Sequence, residues 1–342
     1  MRQNPGENAA IVVTSISAPN EPLRLLARGA ALSSMPFFVI GDTNSPQDFA
    51  LEGCDFYDIQ RQVATDLRTA RLVPERHYAR KNIGYLLAAR SGADVIIETD
   101  DDNLPRDAFW FPRMRKHLTP YATECGWINV YSYFSDAPIW PRGFPLDRIH
   151  DPHPLFEGLP VQQVDCPIQQ GLAGGNPDVD AIYRLILPLP QEFRDNRRVA
   201  LGRNAWCPFN SQNTTTWRDA YPLLYLPSFC SFRMTDIWRS FIAQRIAWEN
   251  GWSILFHEAT VRQERNEHNL MRDFRDEIPG YLHNSVIADV LSGLTLHPGV
   301  GRLGDNLLTC YESLIRASIL ERAELPLLEA WLNDLNQLGV AC

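Results

Sequence analysis

The chain has 342 residues, 45% hydrophobic and 21% charged, and 32 Lys and Arg against 41 Asp and Glu leave a formal charge of −9. That length and balance suit a globular protein with one large α/β core and exclude extensive disorder. The negative sign argues against a nucleic-acid binder, and any anionic ligand needs a local basic pocket or a cation.

Residues 1–10 are polar, contain Pro5 and Gly6, and read as a flexible arm. Residues 11–16 are β-branched and predict a buried strand. Residues 22–32 show helical spacing after the plausible cap Asn20. A second strand at 37–40 runs into Gly41-Asp42 and a turn, and 54–57 suggests a short third. A helix over 77–90 precedes the most hydrophobic strand, Val95-Ile96-Ile97, which ends in Glu98-Thr99-Asp100-Asp101-Asp102-Asn103. Pro105 is placed to start a helix running towards His117. Alternating strands and helices of this kind predict a βαβ sheet.

From 131 to about 190 the texture turns to Pro, Gly and aromatics, which predicts a loop-rich insertion. Order returns with the polar run 210–214, an apolar stretch at 223–226, a helix over 236–248 and a strand at 253–256. Residues 287–338 are amphipathic and helical. The implied division is a catalytic domain over 11–283, with an insertion at 131–206, and a helical extension over 284–342.

The strongest chemical signal is the triplet Asp100, Asp101 and Asp102 straight after an apolar strand. In open α/β sheets ligands bind beyond the carboxyl ends of the strands. Three carboxylates there are costly unless a cation neutralises them, and Mn²⁺ or Mg²⁺ shares its sphere between carboxylates and substrate phosphates. A solvated turn is the alternative. His77, Arg80, Lys81 and Gly84 fall at helical spacing and are expected on one helix surface, with Tyr78, Tyr85 and Leu86 facing the core. Arg80 or Lys81 then reaches a phosphate or base edge, unless the pair is a solvated face. Asp42 either accepts from a base or ribose or makes a turn.

Asp236 opens a helix, as a cap or as the general base for an acceptor hydroxyl. Asp178 and Asp180 follow Gly174-Gly175-Asn176-Pro177 and bind sugar hydroxyls or make turns. His257 and His268 are candidate metal ligands, and Trp127, Trp140, Trp206 and Trp217 offer stacking faces or fill core. The chain lacks GxGxxG, GxxxxGK[ST] and a suitable GxSxG, which disfavours dinucleotide redox, P-loop and α/β-hydrolase chemistry. Its seven cysteines, without CxxC spacing, fit reduced thiols. No apolar run nears the roughly 20 residues of a membrane span and no signal peptide opens the chain, so a cytoplasmic protein without an integral membrane segment is expected.

Arg80-Lys81-Asn82-Ile83-Gly84-Tyr85-Leu86, Gly92-Ala93, the acidic strand end, Pro141-Arg142-Gly143-Phe144-Pro145-Leu146, Pro177-Asp178-Val179-Asp180, Phe209-Asn210-Ser211-Gln212-Asn213-Thr214 and Arg262-Gln263-Glu264-Arg265-Asn266-Glu267-His268 together resemble the STELLO family of GT-A-like glycosyltransferases. A fainter likeness, through Arg80, Gly84-Tyr85, the triplet and Asp236-Ile237-Trp238, runs to the reversibly glycosylated polypeptides and UDP-arabinopyranose mutases. The resemblance implies a GT-A-like, Rossmann-like mixed sheet flanked by helices. It implies that the triplet binds a metal and the diphosphate of a sugar nucleotide, with Arg80 near the donor. With the residue readings above, the expected metal ligands are Asp100, Asp102 and His268, and a nucleoside-diphosphate sugar, UDP-linked by expectation, is expected near Asp42, Arg80, Lys81, Asp100 and Asp101. Asp178, Asp180, Asn210, Gln212 and Arg233 would bind substrate and Asp236 would catalyse transfer to a glycan or other hydroxyl acceptor. A nucleotide-sugar mutase and a non-catalytic scaffold are the alternatives.

Overall fold

The computed structural model describes residues 8–264 and 269–342. Most of the expected arm, and His268, lie outside them. The N-terminal half follows the anticipated βαβ order: β1 (Ala9–Thr14), α1 (Glu21–Leu32), β2 (Phe37–Ile40), β3 (Asp55–Tyr57), α2 (Ile59–Val63), α3 (Arg68–Leu72), α4 (Lys81–Arg90) and β4 (Val95–Thr99). Asn20 caps α1 as its position suggested, accepting from Leu23 N at 3.0 Å.

The second half adds β5 (Asn103–Pro105), β6 (Lys116–Ala122), β7 (Gly126–Trp127), α5 (Tyr131–Phe134) and the long β8 (Val161–Gly175). Then come α6 (Ala181–Ile186), β9 (Arg198–Leu201), β10 (Ala205–Trp206), β11 (Asn213–Trp217), α7 (Thr235–Glu249) and β12 (Trp252–Gln263). Three helices end the chain: α8 (Leu270–Ser292), α9 (Leu303–Arg316) and α10 (Glu324–Gln337). Among the described residues one ten-stranded sheet runs in the order β3-β2-β1-β4-β11-β8-β6-β9-β12-β5. Its first four strands are parallel, and β11 is antiparallel to both neighbours. The expected mixed α/β sheet with a helical C-terminal region is therefore present.

Two local readings need correction. The helix predicted from Pro105 to His117 is instead the edge strand β5, a 3-10 turn at Asp107–Trp110 and strand β6. Pro105 pairs with Val261 across a strand edge, where a missing N–H is tolerated. The supposed loop insertion contains β8, which joins β11, β6 and β12 and so forms the middle of the sheet. The C-terminal helices also begin at Leu270, earlier than expected.

Helix α4 is buried from Lys81 to Ala89, not half-exposed as its spacing suggested. Gly84 permits this: a Cβ there would stand 2.5 Å from Val12 Cγ1 and 2.9 Å from Ile40 Cγ1, so only glycine lets the helix close on β1 and β2. Helix α7 is likewise buried along its length, and its Arg239 bonds Glu98 of β4 at 2.9 Å.

The C-terminal helices hold the rest of the domain through buried carboxylates. Asp334 of α10 accepts from Arg68 N and Thr69 N at 3.1 and 2.8 Å, capping α3. Glu324 accepts from Ser228 N at 2.9 Å, Phe229 N at 2.7 Å and the Tyr225 hydroxyl. Replacing Glu324 by Ala leaves these three donors unpaired. Glu324→Ala is expected to lower unfolding free energy by about 3–5 kcal/mol, read by urea denaturation; a midpoint equal to wild type would remove Glu324 from this structural role.

Candidate functional site

The parallel strands β1, β2 and β4 end together, with Thr14 opposite Ile40 and Val12 opposite Glu98. Beyond their carboxyl ends lies a cavity of about 440 Å³, within the usual size of a small-molecule site. Its lining comes from the tips of β1 and β2 with Asp42, Arg76, His77 and Arg80, from the aspartate triplet after β4, and from Arg142, Asp178, Gln212, Arg233, Asp236 and Gln263 in the later part of the chain. The position thus follows from strand order, as expected for open α/β sheets.

The three aspartates have different partners. Asp100 Oδ1 accepts from Tyr78 Oη at 2.9 Å and Lys81 Nζ at 3.1 Å. Lys81 is fully buried, and its ammonium also donates to the carbonyls of Thr99 and Ser211, both at 2.9 Å. Asp101 accepts from Ser15 Oγ at 2.5 Å; burial raises its pKa, and the Ser15 hydrogen bond works against that rise. Asp102 accepts from Gln263 Nε2 at 2.9 Å. Among the described residues no three His, Cys, Asp or Glu side chains form a ready metal cage. A hard divalent ion sharing one or two carboxylates with phosphate oxygens needs no such cage, and Asp100 and Asp102 fit that donor set.

Arg142 organises the far wall. Its Nε and Nη2 bond Asp178 at 2.9 and 2.8 Å, and its Nη1 and Nη2 bond Asp236 at 3.1 and 2.9 Å. It also donates to the Arg233 carbonyl. Burial alone would lower the arginine pKa, but the two carboxylates outweigh it and raise it. Asp236 further accepts from Ser211 N at 3.2 Å and Ile237 N at 3.0 Å. Both its oxygens are engaged, so the carboxylate is held in place from several sides. That setting is unlike that of the general base expected from the sequence, which needs a lone pair open to the acceptor proton.

Several polar atoms in the cavity lack protein partners. Arg80 is 2% exposed, donates from Nε to Gln62 Oε1 and from Nη1 to Val73 O, and its Nη2 is unpaired. Burial lowers its pKa. Gln263, 5% exposed, has Oε1 unpaired. Gln212, 6% exposed, also lines the cavity. Unpaired buried polar groups are uncommon, and a ligand is one way to satisfy them.

The cavity therefore brings together Asp42, Arg80, Asp100, Asp101, Asp102, Asp178, Gln212, Arg233 and Asp236. Asp42 also makes the turn that its position allowed, since it accepts backbone N–H groups of Thr43, Arg76 and His77. Arg80 and Lys81 lie inside the fold, not on a solvated face, and Lys81 meets the site only through Asp100. Asn210 stands behind the wall, donating to Asp178 at 2.9 Å. Asp180 falls outside the cavity: it caps α6 by accepting from Tyr183 N at 2.8 Å and accepts from Trp140 Nε1 at 2.6 Å, and burial pushes its pKa up to about 6. None of Trp127, Trp140, Trp206, Trp217 or His257 lines the cavity, because all five pack into the interior. Reasoning from sequence assigned no role to Arg142, Gln263 or Phe232. A lone arginine in the apolar run Ile139-Trp140-Pro141-Arg142-Gly143-Phe144 is the one usable signal, since a buried cation needs carboxylates.

The site is thus that of an α/β protein with an acidic ligand pocket at its strand ends. The sequence model described as STELLO glycosyltransferases matches residues 233–342. The chain is 27% identical over 358 residues to a probable glycosyltransferase STELLO2 of Arabidopsis thaliana, covering 96% of this chain and 45% of that protein. It is 28% identical over 281 residues to the probable glycosyltransferase STELLO1 of the same plant, covering 74% and 35%. The chain spans less than half the length of these relatives, and the resemblance read from its motifs is borne out. Among solved structures, the glucosyl-3-phosphoglycerate synthase of M. tuberculosis overlays with a TM-score of 0.38 and 11% identity over 82% of this chain and 81% of that one.

Removing the cation that two buried carboxylates share should be expensive. Arg142→Gln is expected to cost about 3–5 kcal/mol of stability, with Arg142→Lys restoring only part because ammonium lacks the planar fork. Full stability in the lysine variant, by chemical denaturation, would contradict the two-sided clamp.

Proposed function

We propose that this chain is a metal-dependent GT-A-type glycosyltransferase, moving a sugar from a nucleoside-diphosphate donor, expected to be a UDP-sugar, to a hydroxyl of a glycan or other acceptor. The observation that carries the reading is the meeting, in one cavity, of the carboxylates that follow β4 with the unpaired Arg80 Nη2 and Gln263 Oε1. Its likeness to proteins named as probable glycosyltransferases supports the same class.

In this reading the nucleoside lies over the ends of β1 and β2, between Asp42, His77 and Arg80. The diphosphate lies at Asp100 and Asp102, and the sugar points to Arg142, Gln212 and Gln263. Mn²⁺ or Mg²⁺, when bound there, neutralises the charge that the departing diphosphate develops. The chain's own residues do the rest. Lys81 and Tyr78 hold Asp100 by one oxygen, which leaves the other directed to ligands. Gln263 steadies Asp102, and Arg80 Nη2 donates to the nucleotide.

Ligands that bind the folded state stabilise it, by about 2.7 kcal/mol at a hundred times the dissociation constant, and so raise its melting temperature. UDP with Mn²⁺ should therefore raise the melting temperature well above UDP alone, and Asp102→Ala should remove the metal-dependent part. A wild-type protein indifferent to UDP with and without Mn²⁺ would refute the proposal.

A further inference from the structure

We infer that helix α8 pairs with the α8 of a second copy of this chain, antiparallel about a two-fold axis at Leu282. The inference goes beyond the nucleotide-sugar reading and does not depend on it. One face of α8 is committed to the fold, where Asp273, Glu277, Asn284 and Ile287 are buried. The opposite face is not the polar one that a surface helix ordinarily turns to water. It carries Met271, Ile278, Leu282 and Val286, all exposed, with Leu282 at 65%. Their spacing keeps all four on one side of the helix. An apolar stripe of this kind, rimmed by polar residues, marks an interaction surface.

The charges on the stripe choose its occupant. Arg275 and Asp289 stand at equal distances before and after Leu282, as do Ile278 and Val286. A two-fold axis at Leu282 reverses the second helix, so each position before Leu282 faces its counterpart after it. Ile278 then meets Val286, Leu282 meets itself, and Arg275 meets Asp289 at both ends. Within one copy these two charges lie about 21 Å apart along the helix and cannot pair. Arg275 instead meets Asp276 at 3.0 Å with its side chain 71% exposed, a pairing worth little in water. Among the described residues Asp289 makes no ion pair; Arg148, near enough to feel its charge, already bonds Asp151 at 3.1 Å. A parallel pair would set like charges against each other. A lipid surface favours a uniformly basic rim, which the mixed signs here and the net charge of −9 do not supply. A single helix pair buries less than the roughly 1,000 Å² of a tight complex, so association in the micromolar range is expected.

Analytical ultracentrifugation of the full chain from about 1 to 100 µM tests this. Wild type should sediment as a monomer at the low end and as a dimer at the high end. Leu282→Glu, which sets two carboxylates at the axis, should leave a monomer throughout with unchanged circular dichroism, since Leu282 is exposed. Arg275→Asp should weaken association about tenfold. Adding Asp289→Arg should restore it, because the pair is remade with its signs reversed. A chain that stays monomeric at every concentration overturns the inference, as does a dimer that Leu282→Glu leaves intact. A dimer weakened by Arg275→Asp and not recovered by the second change overturns the antiparallel register. Should a monomer instead float with phosphatidylcholine and phosphatidylserine vesicles, and lose that with Leu282→Glu, the stripe faces lipid and the inference is equally overturned.

Discussion

One buried guanidinium determines how the far wall of the cavity is built. Arg142 bridges Asp178, which follows β8, and Asp236, at the start of α7, and reaches the Arg233 carbonyl between them. Taking charges out of water is costly, and only close, multidentate geometry offsets it. The same geometry makes the arrangement specific, because three segments distant in sequence must converge for any of these charges to be satisfied. One cation between two carboxylates leaves a fixed negative charge. Its oxygens are held by Arg142, Ser211 and Asn210, so it acts on a ligand as a field and a shape. The order of the wall and the full engagement of its carboxylate oxygens have the same cause.

The aspartate triplet shows how position divides identical residues. Successive side chains past a strand end point in different directions, so each meets a different environment. Asp100 turns to Lys81, Asp101 inward to Ser15 and Asp102 to Gln263. The inward turn explains why Asp101, though flanked by two other carboxylates, owes its raised pKa first to burial and only then to Asp100. Lys81 offsets part of the charge from within the fold and orders the strand tip before any ligand arrives. Gly84 makes that possible, since without its close approach α4 would not carry Lys81 beneath β4.

The parallel strands and the triplet were legible because burial on both faces leaves continuous β-branched runs, and an acidic cluster after such a run has few explanations. Strand β8 was not legible. Its sequence, Val161-Gln162-Gln163-Val164-Asp165-Cys166-Pro167-Ile168-Gln169-Gln170-Gly171, carries polar residues into the sheet interior. There they bond neighbours that no local pattern reveals: Gln169 reaches Met114 O and Gln170 reaches Asn213 O. Arg80 and Lys81 misled for the reverse reason. Charged side chains ordinarily mark a solvated face, and only long-range partners at Gln62, Asp100 and Ser211 make their burial tolerable. The cavity's clamp was hidden likewise, since Arg142 and Asp236 are 94 residues apart.

The helical C-terminal region is joined to this chemistry by more than packing. Arg233 enters the cavity wall while Glu277 of α8, fully buried, holds its guanidinium, and the Tyr281 hydroxyl and Ala181 N–H complete that carboxylate's set. Glu324 of α10 fixes the backbone at Ser228 and Phe229, a few residues before Arg233. The segment that presents Phe232, Arg233 and Asp236 to the ligand is thus held from behind by α8 and α10. Residues 233–342, which match the STELLO family model, start at the cavity wall and run on through these supports. A change deep in α10 can therefore act on the cavity through Glu324, with no contact of its own to a ligand.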